Sequence, residues 1–115
     1  MLNVYGIKNC NTVKKALDWL TANNIEFTFH DYKKEPAQDS KLIEWQSLTP
    51  WETLINKKGT TWKKLTPEQQ VVVVDEKSAR EALLNNNSMI KRPLIELGNE
   101  IILGFDEETY KQKFI

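Results

Sequence analysis

The first 32 residues constrain the fold more than any other part of the chain. Leu2 to Tyr5 is a β-prone run closed by Gly6, which reads as a strand ending in a tight turn. Val13, Ala16, Leu17 and Leu20 follow at i, i+3, i+4 and i+7, with Lys14, Lys15 and Asp18 between them. That spacing gives a helix with one apolar stripe. It ends near Ala22-Asn23-Asn24, where an asparagine tolerates the left-handed conformation of a helix C-terminus. Glu26 to Tyr32 then alternates, Phe27 and Phe29 on one face, Thr28 and His30 on the other. Strand, helix and strand in this order predict a parallel pair with a right-handed crossover, and so an α/β fold.

The middle of the chain is helical. Lys33 to Gln38 breaks the strand pattern. Asp39 is the expected cap of a helix reaching about Leu48, with Leu42, Ile43 and Trp45 as its apolar residues. Pro50 starts a further short helical turn. Residues 56–68 read as a loop carrying Lys57, Lys58, Lys63 and Lys64. Val71 to Val74 has strand propensity, but the flanking Pro67-Glu68-Gln69-Gln70 and Asp75-Glu76 resemble helix starts. Helix followed by loop is the reading adopted. Ser78 to Asn86 reads as helix, with Ala79, Ala82 and Leu83 inward. Leu94 to Leu97 is a third strand, Gly98-Asn99 a hairpin turn, and Ile101 to Leu103 its antiparallel partner. Asp106 caps a last helix with Tyr110 and Phe114 four apart. The order is βαβ, a helical insertion, then ββα. A single domain over 1–115 is expected, with its core at about 1–33 and 88–115 and the insert at about 38–87.

Charge and composition remove several function classes. Sixteen Lys and Arg balance sixteen Asp and Glu, so no broad basic field favours nucleic acid or anionic lipid. No run approaches the roughly 18 apolar residues of a membrane helix, and "MLNVYGIK" does not read as a signal peptide. A cytoplasmic chain, monomeric and without membrane or direct nucleic-acid partners, is expected. The lone cysteine, Cys10, excludes an internal disulfide and any multi-cysteine metal site; no metal is expected.

Cys10 carries the candidate chemistry. It lies where the first strand hands over to the first helix. Backbone N–H groups there lack intrahelical partners and the helix dipole is positive, so a thiolate would be stabilised. A buried inert cysteine is the alternative. The neighbours Asn9, Asn11 and Thr12 are polar and Lys8 is cationic, which favours the reactive reading. Position 13 is Val13, so a second thiol to close a Cys-x-x-Cys disulfide is missing and an outside thiol must resolve any adduct. Arg92, before Pro93, could aim its guanidinium at an anion. Lys57, Lys58, Lys63 and Lys64 could form an anion collar around Trp62, or a solvated loop. His30, on the polar face of its strand, reads as structural or surface-exposed rather than as a base. The four tryptophans read as packing residues, most of them at least half buried.

Four segments together resemble a known family. "YGIKNCNTVKKALDWL", "FHDYKKE", "LINKKGTTWKKL" and "SMIKRPLIE" are similar, in order and spacing, to the bacterial arsenate-reductase-like ArsC/Spx family, above all its small YffB-type branch. The resemblance implies a thioredoxin-like α/β core with a helical insertion. It implies that Cys10 is the catalytic cysteine, that Arg92 assists it, and that Pro93 is a cis-proline. Asn9, Asn11, Thr12, Lys57, Lys58 and Pro93 are the implied substrate- or anion-binding residues. The activity implied is that of a glutathione-dependent thiol reductase with no bound cofactor, with glutathione as co-substrate and glutathione or glutaredoxin resolving the intermediate.

Two further readings stay open. Arsenate reductases of this kind place three arginines around the oxyanion. Only Arg92 aligns here: Asn56, Lys57 and Lys58 stand at the first position and Leu103-Gly104 near the third. Lysine lacks the bidentate fork of arginine, and Gly6 stands where some arsenate reductases have histidine. Arsenate reduction is therefore the third reading. The second is a redox-inactive, Spx-like regulatory or protein-binding module, with RNA polymerase as the partner.

Overall fold

The computed structural model describes residues 2–115. Four strands, β1 (Leu2–Gly6), β2 (Phe27–Asp31), β3 (Leu94–Leu97) and β4 (Glu100–Leu103), form one sheet in the order β2-β1-β3-β4. β1 and β2 pair in parallel, Val4 opposite Phe29 and Gly6 opposite Asp31. β3 is antiparallel to β1, Tyr5 opposite Leu94, and β4 antiparallel to β3. The thioredoxin-like βαβ and ββα halves predicted from the sequence are both present. The first connection is α1 (Asn11–Ala22), which buries Val13, Ala16 and Leu20 as its stripe requires. Asn24 takes the left-handed conformation, φ 59°, just past its end.

Each sheet face supports its own core. On one side Leu2, Val4, Ile95 and Ile102 meet Ala16 and Leu20 of α1 and Tyr110 of α6 (Glu107–Phe114). On the other, Tyr5 and Leu94 meet α2 (Asp39–Leu48) and α5 (Glu76–Asn85) through Leu42, Trp45, Ala79 and Leu83. Alternation along each strand is what feeds both layers. Trp45 is fully buried and Trp19, Trp51 and Trp62 are partly buried, in agreement with their reading as packing residues.

Several local expectations change. Residues 56–68 are not a continuous loop: α3 (Thr60–Lys64) forms within them, and α4 (Pro67–Val71) starts before they end. Gly59 supplies the extended residue before α3, and the Thr61 and Ser88 hydroxyls, 2.8 Å apart, tie it to the 3₁₀ turn at Asn87–Met89. Tertiary contacts override the poor helix propensity of Thr60-Thr61-Trp62. At Val71 to Val74 the adopted reading, helix followed by loop, holds: Val71 ends α4 and Val72 to Val74 lie outside helix and strand. The deciding feature is the capping box of Thr66 and Gln69, which exchange two hydrogen bonds. Asp39 is not a cap: Gln38 holds that position, and Asp39 is the first helical residue, ion-paired to Arg80 at 3.4 Å. Asp106 does occupy the cap of α6, although its carboxylate accepts from the Thr109 hydroxyl (2.6 Å) and not from a backbone N–H.

Candidate active site

The sheet brings together residues more than eighty positions apart. β1 ends at Gly6 and its chain continues through Ile7 to Cys10. β3 begins at Leu94, opposite Tyr5, so Arg92 and Pro93 lie at that same end of the sheet. Tyr32 closes the corner on the other side, its backbone N–H donating to the Gly6 carbonyl at 2.9 Å. The Arg92–Pro93 peptide bond is cis. Pro93 is buried and its carbonyl accepts from Gly104 N–H at 2.9 Å.

Cys10 is the N-cap residue of α1, with extended backbone (φ −140°, ψ 123°) and a partly buried side chain. Its carbonyl accepts the first helical hydrogen bond, from Lys14 N–H at 2.9 Å. Its side chain makes no capping bond, so it neutralises none of the first-turn N–H groups that a helix start leaves without intrahelical partners. No acidic residue enters that first turn. Asn9, Asn11 and Thr12 are exposed around it, with Lys8, Lys14 and Lys15. Gly6 has no left-handed backbone; its requirement is space, since a Cβ there would lie 3.0 Å from Val13 Cγ2. The glycine lets α1 close onto the strand end and fixes where Cys10 emerges.

The basic loop is anchored to the chain ahead of Arg92. Ile55 and Ile90 form an antiparallel bridge, with Asn56 N–H donating to the Met89 carbonyl and Lys91 N–H to that of Leu54. In that antiparallel register residues 56–58 run away from Arg92. Lys57 places its ammonium 5.3 Å from the Trp62 ring centroid, and Lys58 is exposed. The structure thus brings Cys10, Arg92 and Pro93 to one end of the sheet, while Lys57 is engaged with Trp62.

The model of the ArsC family matches residues 5–113. This chain belongs to the ArsC family. Among solved structures it is similar to a YffB protein, 38% identical with a TM-score of 0.94, each chain covering 100% of the other. It is also similar to an arsenate reductase (ArsC) related protein from Brucella melitensis, 43% identical with a TM-score of 0.78, covering 98% of this chain and 93% of that one. The global transcriptional regulator Spx of Streptococcus agalactiae is 26% identical over 96% of this chain and 81% of its own length.

A second polar group was passed over in the sequence. Glu96 accepts hydrogen bonds from Trp45 Nε1 (2.8 Å), Lys41 Nζ (3.0 Å) and Tyr5 Oη (3.2 Å). Burial alone would raise its carboxyl; the bonds from Trp45, Lys41 and Tyr5 and the Lys41 charge outweigh it and hold Glu96 below the ordinary glutamate value. Burial and the Glu96 charge raise the Tyr5 phenol. The available signal was a glutamate inside "LIEL", a strand otherwise fully apolar. His30 has more company than its sequence neighbours suggest: Nε2 lies 3.0 Å from Asn3 Oδ1 and Nδ1 3.6 Å from Glu35 Oε2.

Proposed function

We propose that this ArsC-family chain is a glutathione-dependent thiol reductase whose nucleophile is Cys10. The observation that carries the reading is a lone thiol at the N-cap of α1, at the sheet end where the cis Arg92–Pro93 bond opens β3. In this reaction the Cys10 thiolate attacks one sulfur of a disulfide. The S–S bond breaks, one half leaves as a thiolate and takes up a proton, and the other half stays as a mixed disulfide on Cys10. A glutathione thiolate then attacks that mixed disulfide and returns Cys10 as thiolate. Arg92 and the free N–H groups opening α1 are the groups available to oppose the negative charge, and Asn9, Asn11 and Thr12 shape the rim. Lys57 and Lys58 are the proposed holders of glutathione carboxylates; Lys57 would have to leave Trp62 to do so.

The test is turnover of a small disulfide by glutathione, with mass spectrometry of the protein after exposure to oxidised glutathione. A glutathione adduct on the wild type, with adduct and turnover both abolished in Cys10→Ser, is expected. Full turnover in Cys10→Ser would refute the mechanism. The similarity to Spx over nearly the whole chain favours a second reading, a redox-inactive regulatory module binding RNA polymerase; Val13 stands where a second cysteine would complete a redox switch, so that switch is missing here. Recovery of polymerase by the chain, undiminished in Cys10→Ser, would support it.

A further inference from the structure

Four segments meet at the sheet end that holds Cys10. β1 and β2 finish side by side, Gly6 opposite Asp31. β3 enters opposite Tyr5, and β4 leaves opposite Leu94. Residues 7–15, 32–35, 90–93 and 104–108 therefore share this end of the molecule. Their charges are segregated. Residues 7–15 carry Lys8, Lys14 and Lys15 and no acid; residues 90–93 carry Lys91 and Arg92 and no acid. The four lysines are exposed and Arg92 is partly buried. Among the described residues none of these five cations is in an ion pair. Lys41, Arg80, Lys111 and Lys113 all are.

The acids of this end lie to either side. On the β2 flank Asp31 and Glu35 are matched by Lys33 and Lys34, and the Asp31 carboxylate accepts from Lys33 N–H at 3.0 Å. On the β4 flank Asp106, Glu107 and Glu108 open α6. The whole chain is neutral, so the field here is local: positive over the start of α1 and the approach to β3, negative beyond β4. A patch of this kind speeds the encounter with an oppositely charged partner and fixes its orientation. The acidic border opposes a long polyanion such as nucleic acid, which is held by many successive phosphate contacts. A short acidic segment fits between the two flanks.

We propose that the Cys10 end docks acidic peptide segments, with their carboxylates over Lys8, Lys14, Lys15 and Lys91 and Arg92 left to the reacting sulfurs. It rests on the thiol-reductase reading and adds the class of disulfide that Cys10 attacks: one flanked by carboxylates. The experiment uses the whole chain and three cysteine peptides, each activated as its 2-pyridyl disulfide. They differ only in whether glutamates, glutamines or lysines flank the cysteine. The Cys10 thiolate attacks the peptide sulfur, the S–S bond breaks, and pyridine-2-thiolate leaves and is protonated to the thione, which absorbance follows. Mass spectrometry locates the peptide on Cys10. At about 10 mM ionic strength, where charges act over roughly 30 Å, the glutamate peptide is expected to react about tenfold faster than the glutamine peptide, and the lysine peptide more slowly. In roughly 0.5 M salt the three rates converge. Lys15→Gln combined with Lys91→Gln is expected to lower the glutamate-to-glutamine ratio about threefold. Lys113→Gln, beside Glu100 at the other end of the sheet, leaves that ratio unchanged. Equal rates at low salt, a preference that persists at high salt, an unchanged ratio in the doubly substituted chain, or an equal loss in Lys113→Gln would each overturn the docking proposal and leave Cys10 the nucleophile. Absence of reaction with all three peptides would overturn both.

Discussion

Replacing Glu96 by Gln tests whether one carboxylate holds the insert to the sheet. Glu96 sits on β3 and takes three donors: Trp45 and Lys41 from α2, and Tyr5 from β1. Its side chain is 13% exposed, and Trp45 is fully buried. A carboxamide keeps one oxygen to accept from Trp45 and Lys41, which share Oε2, and turns its NH₂ to the Tyr5 hydroxyl, which must then accept instead of donate; the charge that strengthens these bonds is lost. A hydrogen bond to a charged group contributes about 1.5–3 kcal/mol, and a buried donor left unpaired costs about 1–3 kcal/mol. We expect Glu96→Gln to lose about 2 kcal/mol at pH 7, roughly 8 °C in Tm for a domain of this size. The effect must also depend on pH. The folded-state carboxyl is held below its ordinary value of 4.5, so its ionisation stabilises the fold above that pH. The contribution is lost as pH falls through the lower, folded value. Urea denaturation of both proteins at pH 7 and pH 3 measures this. A loss below about 0.5 kcal/mol at pH 7, or a difference as large at pH 3 as at pH 7, would refute the reasoning.

The remaining expectations concern single side chains. Tyr32→Phe removes a buried hydroxyl that has no partner, so it leaves stability unchanged or raises it by up to about 1 kcal/mol; a loss above that in chemical denaturation means the hydroxyl is bonded. Gly98 has φ +58° and nothing within 4 Å of an added Cβ, so Gly98→Ala costs about 1 kcal/mol through backbone strain alone, read from the midpoint of thermal unfolding. Leu83 is fully buried between α5 and α2, and Leu83→Ala loses about 3 kcal/mol by urea denaturation; under 1 kcal/mol would mean that the insert repacks.

In the terminal thirds of the chain α1 and β2 were legible from their periodicity, and β3 and β4, four residues each, from the Gly98-Asn99 turn that joins them. The α1 stripe runs through two turns and β2 alternates from Phe27 to His30, enough for period 3.6 and period 2 to separate. Within the insert, α2 and α5 run ten residues each and were read as helices, but the short elements between them offered no such length. α3 and α4 have five residues each, too few to show a stripe and too few to be stable alone. α3 is held by tertiary contacts: Trp62 packs on the core and the Thr61 hydroxyl meets that of Ser88, 27 positions away. α4 was legible in part, since Pro67 to Gln70 read as a helix start; the Thr66–Gln69 capping box is the local signal behind it. The Glu96 cluster was hidden for another reason: its three donors come from positions 5, 41 and 45, and only the folded register places them together.

The candidate active site divides in the same way. Cys10 could be found locally, since a strand, a glycine and a helix start bracket it. Arg92 and Pro93 could not, because an arginine and a proline before a strand are ordinary in any sequence. Their relevance depends on β3 running antiparallel to β1 so that Leu94 meets Tyr5. That arrangement depends in turn on the insert. The bridge between Ile55 and Ile90, with the bonds from Asn56 to Met89 and from Lys91 to Leu54, fixes the chain directly ahead of Arg92. Met89, Ile90 and Leu54 are almost fully buried there. The insert is therefore part of the site's frame: it fixes the chain leading to Arg92, as Gly6 and Val13 fix the approach of Cys10 from the other side.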